Sequence, residues 1–223
     1  MNILALETST EYCSVALWCD GVTHAFFEPV GQRHSMLLMP MLDTLLLTTN
    51  HTLQDIDGIA FGAGPGSFTG VRIACGAAQG LALGANLPVA GICTLQALAQ
   101  AARHDKVIAA LDARMGEVYF AAYEKSDGAW RVVCEPGLYA PRDVPPVSGD
   151  GWVCAGSGFL THGAELRAAY AGQFADVDEH AVPHASAVAE LAAPLFAAGL
   201  GQDAADAQPI YLRDKVALKT SER

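Results

Sequence analysis

Short apolar runs at the start of the chain follow the pattern of β-strands. Residues 3–6 are continuously apolar, and residues 13–19 and 22–27 have the composition of strands. Asp20 and Gly21 separate the second run from the third, and Asp-Gly is a typical two-residue hairpin turn. The pattern therefore predicts three antiparallel strands, joined by one loop and one tight turn.

Longer apolar segments with helical spacing follow this unit. They predict one helix over residues 35–48 and another over 69–83, with a buried strand at 56–61 between them. A further short strand is expected at 89–92, and a helix at 94–103. The first half of the chain is thus predicted to be an α/β unit.

The second half repeats the opening pattern. Three strand-like runs at 107–111, 117–123 and 130–134 follow the same order of strand, turn, strand, Asp-Gly turn and strand. An acid ends the leading strand in both halves, Glu7 in one and Asp112 in the other. We interpret this similarity as a degenerate internal duplication.

The duplication predicts two α/β lobes, one over residues 1–103 and one over 104–223. The tail at 209–223 holds four of the thirteen basic residues and is expected to be extended and exposed. The other predicted elements of the second lobe are a loop at 136–150, a strand at 153–155, and helices at 163–171 and 186–199.

Composition and charge exclude several classes of protein. Of the 223 residues, 52% are apolar, which is too many for an intrinsically disordered chain. The net charge of -11 argues against a protein that holds nucleic acid alone, because phosphates require clustered Lys and Arg. No apolar run reaches the roughly 18 residues of a membrane span, and the N-terminus does not resemble a signal peptide. We therefore expect a cytoplasmic location.

The cysteines and histidines offer little metal chemistry. None of the cysteines forms a Cys-x-x-Cys pair, and we expect free thiols. His180 and His184 have the spacing of a chelating pair on a helix, but Pro183 between them would break that helix. A solvated loop is the favoured interpretation there, and no metal site is predicted. The cysteines are Cys13, Cys19, Cys75, Cys93, Cys134 and Cys154.

A glycine-rich loop, GAGPGSFTG at 62–70, joins a predicted strand to a predicted helix. Glycines allow backbone N–H groups to approach an anion, and a helix N-terminus favours negative charge, so the loop could cradle phosphate. It lacks the Lys of a Walker A motif, and its nearest cation is Arg72. Residue types alone favour a tight turn with Ser67 or Thr69 as the helix N-cap.

The two long helices have the composition of partner surfaces. The helix at 35–48 is apolar around nearly its whole circumference, with three methionines, and such a helix is buried on more than one side. The second helix, at about 69–83, places Gly76, Gly80 and Gly84 four residues apart. Packing under the protein's own sheet is one explanation, and we favour an exposed face that meets a partner.

The turn around Asp112 admits two interpretations. Asp112 could serve as a carboxylate for metal-bound water or as a general base. It could also tie the hairpin to Arg114 or to backbone amides. The second interpretation is favoured, because the adjacent sequence supplies no His or Lys to act with Asp112.

Four short segments, in this order, carry a family resemblance. They are ILALETSTE at 3–11, GPGSFTGVRI at 64–73, DARMGEVY at 112–119 and PIYLR at 209–213. Together they resemble the TsaB family, also called YeaZ, over essentially the whole chain. The second and third segments are the more specific ones.

The resemblance implies an ASKHA fold, the actin/Hsp70-like and ribonuclease H-like α/β architecture, with two duplicated lobes. It also implies a role in forming N6-threonylcarbamoyladenosine at position 37 of tRNAs that read ANN codons. In that family this subunit is not the catalyst. It pairs with a paralogue, TsaD, which holds the metal and transfers the threonylcarbamoyl group. The ATPase TsaE joins the complex, and TsaC makes the adenylate. ATP and metal are then expected on the partner subunits, with no cofactor on this chain.

Two departures support a non-catalytic role. The catalytic paralogue has an H-x-x-x-H metal pair, and those positions fall on Thr94 and Leu98 here, neither of which replaces imidazole. The family usually has Asp where this chain has Glu7, and the longer side chain would displace a carboxylate poised for a metal-nucleotide. His34 matches a shared family position that is not a metal ligand.

The resemblance also assigns a docking surface. In the family the equivalent helices form a bundle across the TsaB–TsaD heterodimer, and the same surface can form a homodimer when TsaD is absent. The residues expected at this interface are Met36, Met39, Leu42, Leu46, Arg72, Ile73 and Ala77. The candidates for a vestigial nucleotide-facing site are Glu7, Thr8, Ser9, Gly64, Gly66, Ser67 and Asp112.

Two alternatives from other functional classes stay open at this point. One is a nucleotide-dependent transferase that acts alone through the glycine-rich loop and the carboxylates Glu7 and Asp112. The other is a regulatory homodimer that works without the paralogue.

Overall fold

The first half of the chain folds around a five-stranded mixed sheet. In the computed structural model, which describes residues 1–213, the strands lie in the order β3-β2-β1-β4-β5. β1 pairs antiparallel with β2 and parallel with β4, so that Leu4 lies between Leu17 and Ile59. The strands are β1 (Asn2–Glu7), β2 (Tyr12–Cys19), β3 (Val22–Pro29), β4 (Gly58–Gly64) and β5 (Val89–Cys93).

A second five-stranded sheet repeats this topology. Its order is β10-β9-β6-β7-β8, so β6 takes the central position that β1 has in the first sheet. The order confirms the internal duplication that the sequence predicted. Its strands are β6 (Lys106–Asp112), β7 (Val118–Ser126), β8 (Ala129–Tyr139), β9 (Trp152–Ala155) and β10 (Phe174–Asp178).

The predicted hairpin turns are also confirmed. Asp20 and Gly21 connect β2 to β3 with φ angles of 47° and 94°, and Asp127 and Gly128 connect β7 to β8 with 52° and 79°. Positive φ at both central residues suits the right-handed twist of the flanking strands, and Asp followed by Gly adopts it at low cost.

Within residues 1–213, six α-helices flank the sheets. Their ends agree with the predicted ones to within two residues, except that α4 was not predicted. They are α1 (His34–Thr48), α2 (Phe68–Ala85), α3 (Thr94–Ala101), α4 (Ser157–Thr161), α5 (Gly163–Ala169) and α6 (Ala185–Ala197).

The first sheet is covered on both faces, because alternate residues of a strand point to opposite sides. Leu4 and Leu6 of β1 face α1 and α2 in one core cluster. Ile3 and Ala5 of the same strand face α6, where they meet Val188. The helix that closes this layer therefore comes from the far end of the chain.

The second sheet also receives a helix from the other half of the chain. Leu95 and Leu98 of α3 pack with Val107 and Tyr123. Residue 103 therefore separates the strands of the two sheets, but the helices α3 and α6 cross that boundary. One layer on each sheet therefore combines residues from both sequence halves.

Three further features differ from the sequence prediction. Residues 136–139 of the predicted loop continue β8, because Tyr139 pairs with Val118 of β7. β10 was missed, since its FADVD sequence is short and contains two aspartates. Residues 209–213 have no regular structure but are anchored by hydrogen bonds, and the remainder of the predicted exposed tail, 214–223, lies outside the described residues. Among residues 1–213, no helix has the length and apolarity needed to cross a membrane.

Candidate functional site

The carboxylate that ends β1 is sealed inside the first lobe. Glu7 is 2% exposed, and its Oε1 accepts a hydrogen bond of 2.6 Å from the backbone N–H of Ser9. Its Oε2 has no hydrogen-bond partner among the described residues. Burial raises the pKa of Glu7 above its usual range, while the Ser9 hydroxyl and the Ser9 and Thr8 amides act in the opposite direction.

Three glycines of the 62–70 loop lie directly against another segment of the same chain. A Cβ at Gly62 would overlap the Glu7 carboxylate, and one at Gly70 would overlap the carbonyl oxygen of Thr8. A Cβ at Gly66 would lie 2.6 Å from the Cβ of Ser9. All three glycines therefore make room for residues 7–9.

Hydrogen bonds hold these two segments together. The backbone N–H of Ser67 donates to the carbonyl of Ser9 over 2.7 Å, and the Thr8 hydroxyl donates to the carbonyl of Gly70 over 2.7 Å. The Ser67 hydroxyl accepts from the Gly70 N–H, which makes Ser67 the N-cap of α2. The side of the loop that faces residues 7–9 is thus occupied by protein, and Ser67 is the N-cap that the tight-turn interpretation named. The nucleotide-facing role of this region stays a prediction.

Asp112 ends β6 as Glu7 ends β1, but its surroundings are polar. Its Oδ1 accepts from the Arg114 N–H at 3.0 Å, and its Oδ2 pairs with the Arg114 guanidinium at 3.1 Å. This is the hairpin tie that the sequence favoured. The backbone N–H of Asp112 also donates to the Ser157 hydroxyl, and His162 Nε2 lies 3.7 Å from Oδ1. Sequence reasoning missed both neighbours, because they come from α4 and its C-cap.

The positions that match the paralogue's metal pair are parts of the core. Thr94 and Leu98 are fully buried. The Thr94 hydroxyl accepts a hydrogen bond of 3.1 Å from the Gly64 N–H, and Leu98 packs in the core cluster around α3. Both side chains therefore have structural partners.

The structure also shows the neighbours and the exposure of the histidines singled out in the sequence. His34 is buried, with Nε2 3.0 Å from the Tyr12 carbonyl oxygen. His184 precedes α6 and packs on the ring of Phe27, and burial lowers its pKa. His180 is exposed. In the described part of the chain, no group of three or more His, Cys, Asp or Glu is arranged to hold a metal.

All six cysteines are free thiols, as predicted. Burial raises the pKa of every one of them, and raises that of Cys13 to about 11. Thiols with a raised pKa are weak nucleophiles at neutral pH. The thiols therefore give no indication of a reactive site.

The exposed side of α1 carries large apolar side chains among polar ones. Met36 is 70% exposed, Leu47 is 80% exposed, and Met39 is also exposed. Leu46 is partly buried. Leu42 is 2% exposed and packs in the core of the first lobe, away from this exposed surface. Its place at the partner interface stays a prediction.

The exposed face of α2 is a stripe of small residues. A Cβ added at Gly76, Gly80 or Gly84 would meet nothing within 4 Å, so the stripe is open to solvent. Leu83 beside it is 64% exposed, and Ile73 and Ala77 are partly buried along its edge. We call the exposed residues of α1 and α2, from Met36 to Leu47 and from Gly76 to Gly84, the docking face.

Arg72 at the start of α2 has partners within the chain. Its guanidinium carbon lies 3.4 Å from the centroid of the Phe68 ring and 5.2 Å from that of Tyr211. Its Nε donates to the Tyr211 hydroxyl over 2.7 Å. Arg72 therefore connects α2 to the end of the described chain, a role that the sequence did not suggest.

Comparisons with known proteins identify the family. A family model described as "TsaD: tRNA N6-adenosine threonylcarbamoyltransferase" matches residues 28–220. An Escherichia coli (strain K12) protein named "tRNA threonylcarbamoyladenosine biosynthesis protein TsaB" is 42% identical over 98% of this chain and 97% of that protein. The chain belongs to the TsaB family. A TsaB of Haemophilus influenzae is 37% identical over 98% of this chain and 96% of its own length.

A solved structure confirms the fold that TsaB membership implies. The structure titled "YeaZ from Pseudomonas aeruginosa" superposes with a TM-score of 0.88 at 38% identity, covering 95% of this chain and 99% of that one. The ASKHA-type architecture with two duplicated lobes, which the TsaB resemblance predicted, is therefore confirmed.

Proposed function

We propose that this chain is a non-catalytic subunit of the complex that forms N6-threonylcarbamoyladenosine at position 37 of ANN-decoding tRNAs. It docks to the metal-bearing transferase TsaD, activates it, and supports assembly with the ATPase TsaE. The observation that carries the proposal is the docking face: an open glycine stripe on α2 beside exposed methionines on α1.

The chemistry of the docking face suits a helical partner. Helices pack with their axes 8–10 Å apart depending on the side chains between them, and a glycine stripe permits the shorter distances. Burying an exposed Met side chain contributes roughly 1.5–3 kcal/mol, and methionine adapts to irregular surfaces. Exposed apolar patches on a monomer mark interaction sites. A partner helix laid between α1 and α2 would therefore gain both close packing and apolar burial.

The proposal assigns the chemistry to the partners. Thr94 and Leu98 supply no imidazole where the paralogue has its metal pair, and both are packed in the core. The glycine-rich loop is filled by residues 7–9, which argues against an autonomous nucleotide-dependent transferase. ATP and metal are accordingly proposed to sit on TsaD and TsaE.

The net charge of the chain supports the same assignment of roles among the subunits. A chain with a charge of -11 repels a polyanion, so tRNA contact is proposed to come mainly from the other subunits. Action on tRNA in such a complex would place the chain in the cytoplasm. Without TsaD, the same docking face could join two copies of this chain.

The test is reconstitution of the reaction with purified TsaD, TsaE, TsaC, threonine, bicarbonate, ATP and tRNA, with and without this chain. We expect modified tRNA only when this chain is present, and none when it replaces TsaD. Equal product without the chain would remove the activating role. Product without TsaD would make the chain an enzyme.

A further inference from the structure

The last described residues run from the first lobe to the second, and we call residues 202–213 the C-terminal strap. The strap begins at the edge of the first sheet, where Gln202 and Val89 exchange two backbone hydrogen bonds of 2.8 and 2.9 Å. It then follows α2, where the Gln79 side chain donates to the carbonyl of Ala207 over 3.1 Å.

The middle of the strap closes over the end of β4. The N–H of Ile210 donates to the carbonyl of Ala63 over 2.7 Å. A Cβ at Gly64 would lie 2.9 Å from the Ile210 carbonyl oxygen, so this glycine admits the strap. One residue later, the Tyr211 hydroxyl accepts the hydrogen bond from Arg72 of α2.

The end of the strap reaches the second lobe. Arg213 pairs with Glu117 at 2.8 Å and donates to the carbonyl of Ala113 at 3.0 Å. The Nη1 that pairs with Glu117 also lies 3.3 Å from the sulfur of Met115. The Arg213 side chain is only 15% exposed, so this contact is shielded from solvent far more than a typical surface ion pair.

The hairpin that receives Arg213 has a strained backbone. Arg114, Met115 and Gly116 have successive φ angles of 62°, 57° and 78°. The left-handed conformation is unfavourable for non-glycine residues, so contacts made to this turn help to hold it. Arginine presents a planar fork of donors, which matches the carbonyl and carboxylate groups of this turn.

We infer that the C-terminal strap is an interlobe latch, in which Arg213 holds the 113–117 hairpin and thereby fixes the second lobe against the glycine-rich loop and α2 of the first. Because Tyr211 holds Arg72, the latch ties the hairpin to the start of the helix that carries the glycine stripe. This last coupling rests on the proposed docking function, whereas the latch itself does not.

The test measures hydrogen exchange by mass spectrometry on the full-length chain and on Arg213→Met. The expected result is at least about tenfold faster exchange of the hairpin amides, those of Ala113, Arg114 and Glu117, because a hydrogen bond to a charged group contributes about that factor or more. The amides of the β1 and β4 core should keep their wild-type rates. Arg167→Met is the matched control, since Arg167 pairs with Glu179 at 2.9 Å within the second lobe.

Two further variants keep the inference falsifiable. Glu117→Met should accelerate hydrogen exchange at the same amides. In the double variant with Arg213→Met, the increase in exchange rate should be smaller than the product of the two single increases. Arg213→Lys should fall between wild type and Arg213→Met, because lysine keeps the charge but loses the fork. Unchanged hairpin exchange, or fully multiplicative effects in the double variant, would overturn the latch.

The coupling to docking has a separate readout. The affinity of purified TsaD for the wild-type chain and for Arg213→Met is compared by titration. Weaker binding of Arg213→Met supports the coupling, and equal binding rejects it. If TsaD binds neither chain, the proposed function has failed, and the exchange experiment still decides the latch.

Discussion

At the scale of single residues, the C-terminal end of β1 shows how the chain uses a buried acid and glycines together. Glu7 is excluded from solvent, with one oxygen bonded to Ser9 and the other against Gly62. No described cation pairs with it, so burial dominates and its pKa is raised. A carboxyl in this setting destabilises the fold once it ionises.

Replacement of Glu7 by glutamine tests this cost. A raised pKa means that the folded chain keeps a proton that the unfolded chain releases near its ordinary pKa of about 4.5. Stability of the wild type then falls as pH rises from that value to the raised pKa of the folded state. We expect the melting temperature of Glu7→Gln to gain on that of the wild type as pH increases from about 4 to about 8. If the two melting temperatures changed in parallel across this pH range, Glu7 would be ionised in the folded chain without penalty.

Two alanine substitutions separate the buried glycines from the exposed ones. Gly70→Ala would press a methyl group against the Thr8 carbonyl, and we expect a loss of about 1–3 kcal/mol in the free energy of unfolding. Gly76→Ala meets open space within α2, and we expect a gain of roughly 0.5–1 kcal/mol from helix propensity. Urea denaturation of both variants measures this difference. A loss of equal size at Gly76 would mean that its side of α2 is not open.

At the scale of elements, α1 and α2 divide their surfaces between the core and solvent. Leu38, Leu42 and Leu45 of α1 are buried, while Met36 and Leu47 are exposed. Composition alone could not make this division, because α1 is apolar on nearly every side. The docking face is what remains after the sheet has covered one side of each helix.

Substitutions on the docking face test its role. Met39→Asp places a charge where a partner would bury it, and we expect at least about a tenfold loss of affinity for TsaD, with little change in monomer stability. Gly80→Leu fills the stripe and should weaken binding in the same way. Leu160→Asp is the matched control, because Leu160 is also exposed on a helix but lies on the second lobe.

Pull-down and titration calorimetry with purified TsaD provide the measurement. Wild-type affinity in Met39→Asp and Gly80→Leu would show that the partner does not use this face. An equal loss in Leu160→Asp would point to a general effect of added charge instead. Arg72 is less suitable for this test, since its substitution also disturbs Tyr211 and the strap.

At the scale of the whole molecule, each sheet packs against a helix that comes from the other half of the sequence. The first sheet is closed by α6 from the second half, and the second sheet packs against α3 from the first half. Neither sequence half contains all of its own core. The predicted division at residue 103 therefore describes the duplication of the sheets better than it describes independent folding units.

Expression of the two halves tests this arrangement. A fragment of residues 1–103 would expose the apolar face of Ile3 and Ala5, and a fragment of 104–223 would expose that of Val107. We expect neither fragment alone to unfold cooperatively, and the two together to recover a cooperative transition. Circular dichroism during heating is the measurement. Cooperative unfolding of the first fragment alone would show that it does not need the helix from the second half.

The sequence by itself determined most of the elements, the duplication and the family. Strand alternation, helical spacing and Asp-Gly turns depend on neighbouring residues, so they can be recognised locally. The ends of α1, α2 and β6 were predicted to within two residues for that reason. The free thiols, the exposed stripe of α2 and the hairpin tie at Asp112 were likewise anticipated from residue types.

Only the tertiary structure decided how distant segments meet. Residues 7–9 fill the glycine-rich loop across about sixty positions of sequence, α6 crosses to the first sheet, and Arg213 reaches a hairpin 100 residues away. The local pattern of apolar and polar residues does not specify these distant partners, because many pairings satisfy the same apolar spacing. The physical reason is that burial and hydrogen bonding depend on the whole packed chain. The identity of Leu42 as a core residue and of Leu47 as a surface residue was settled by that packing.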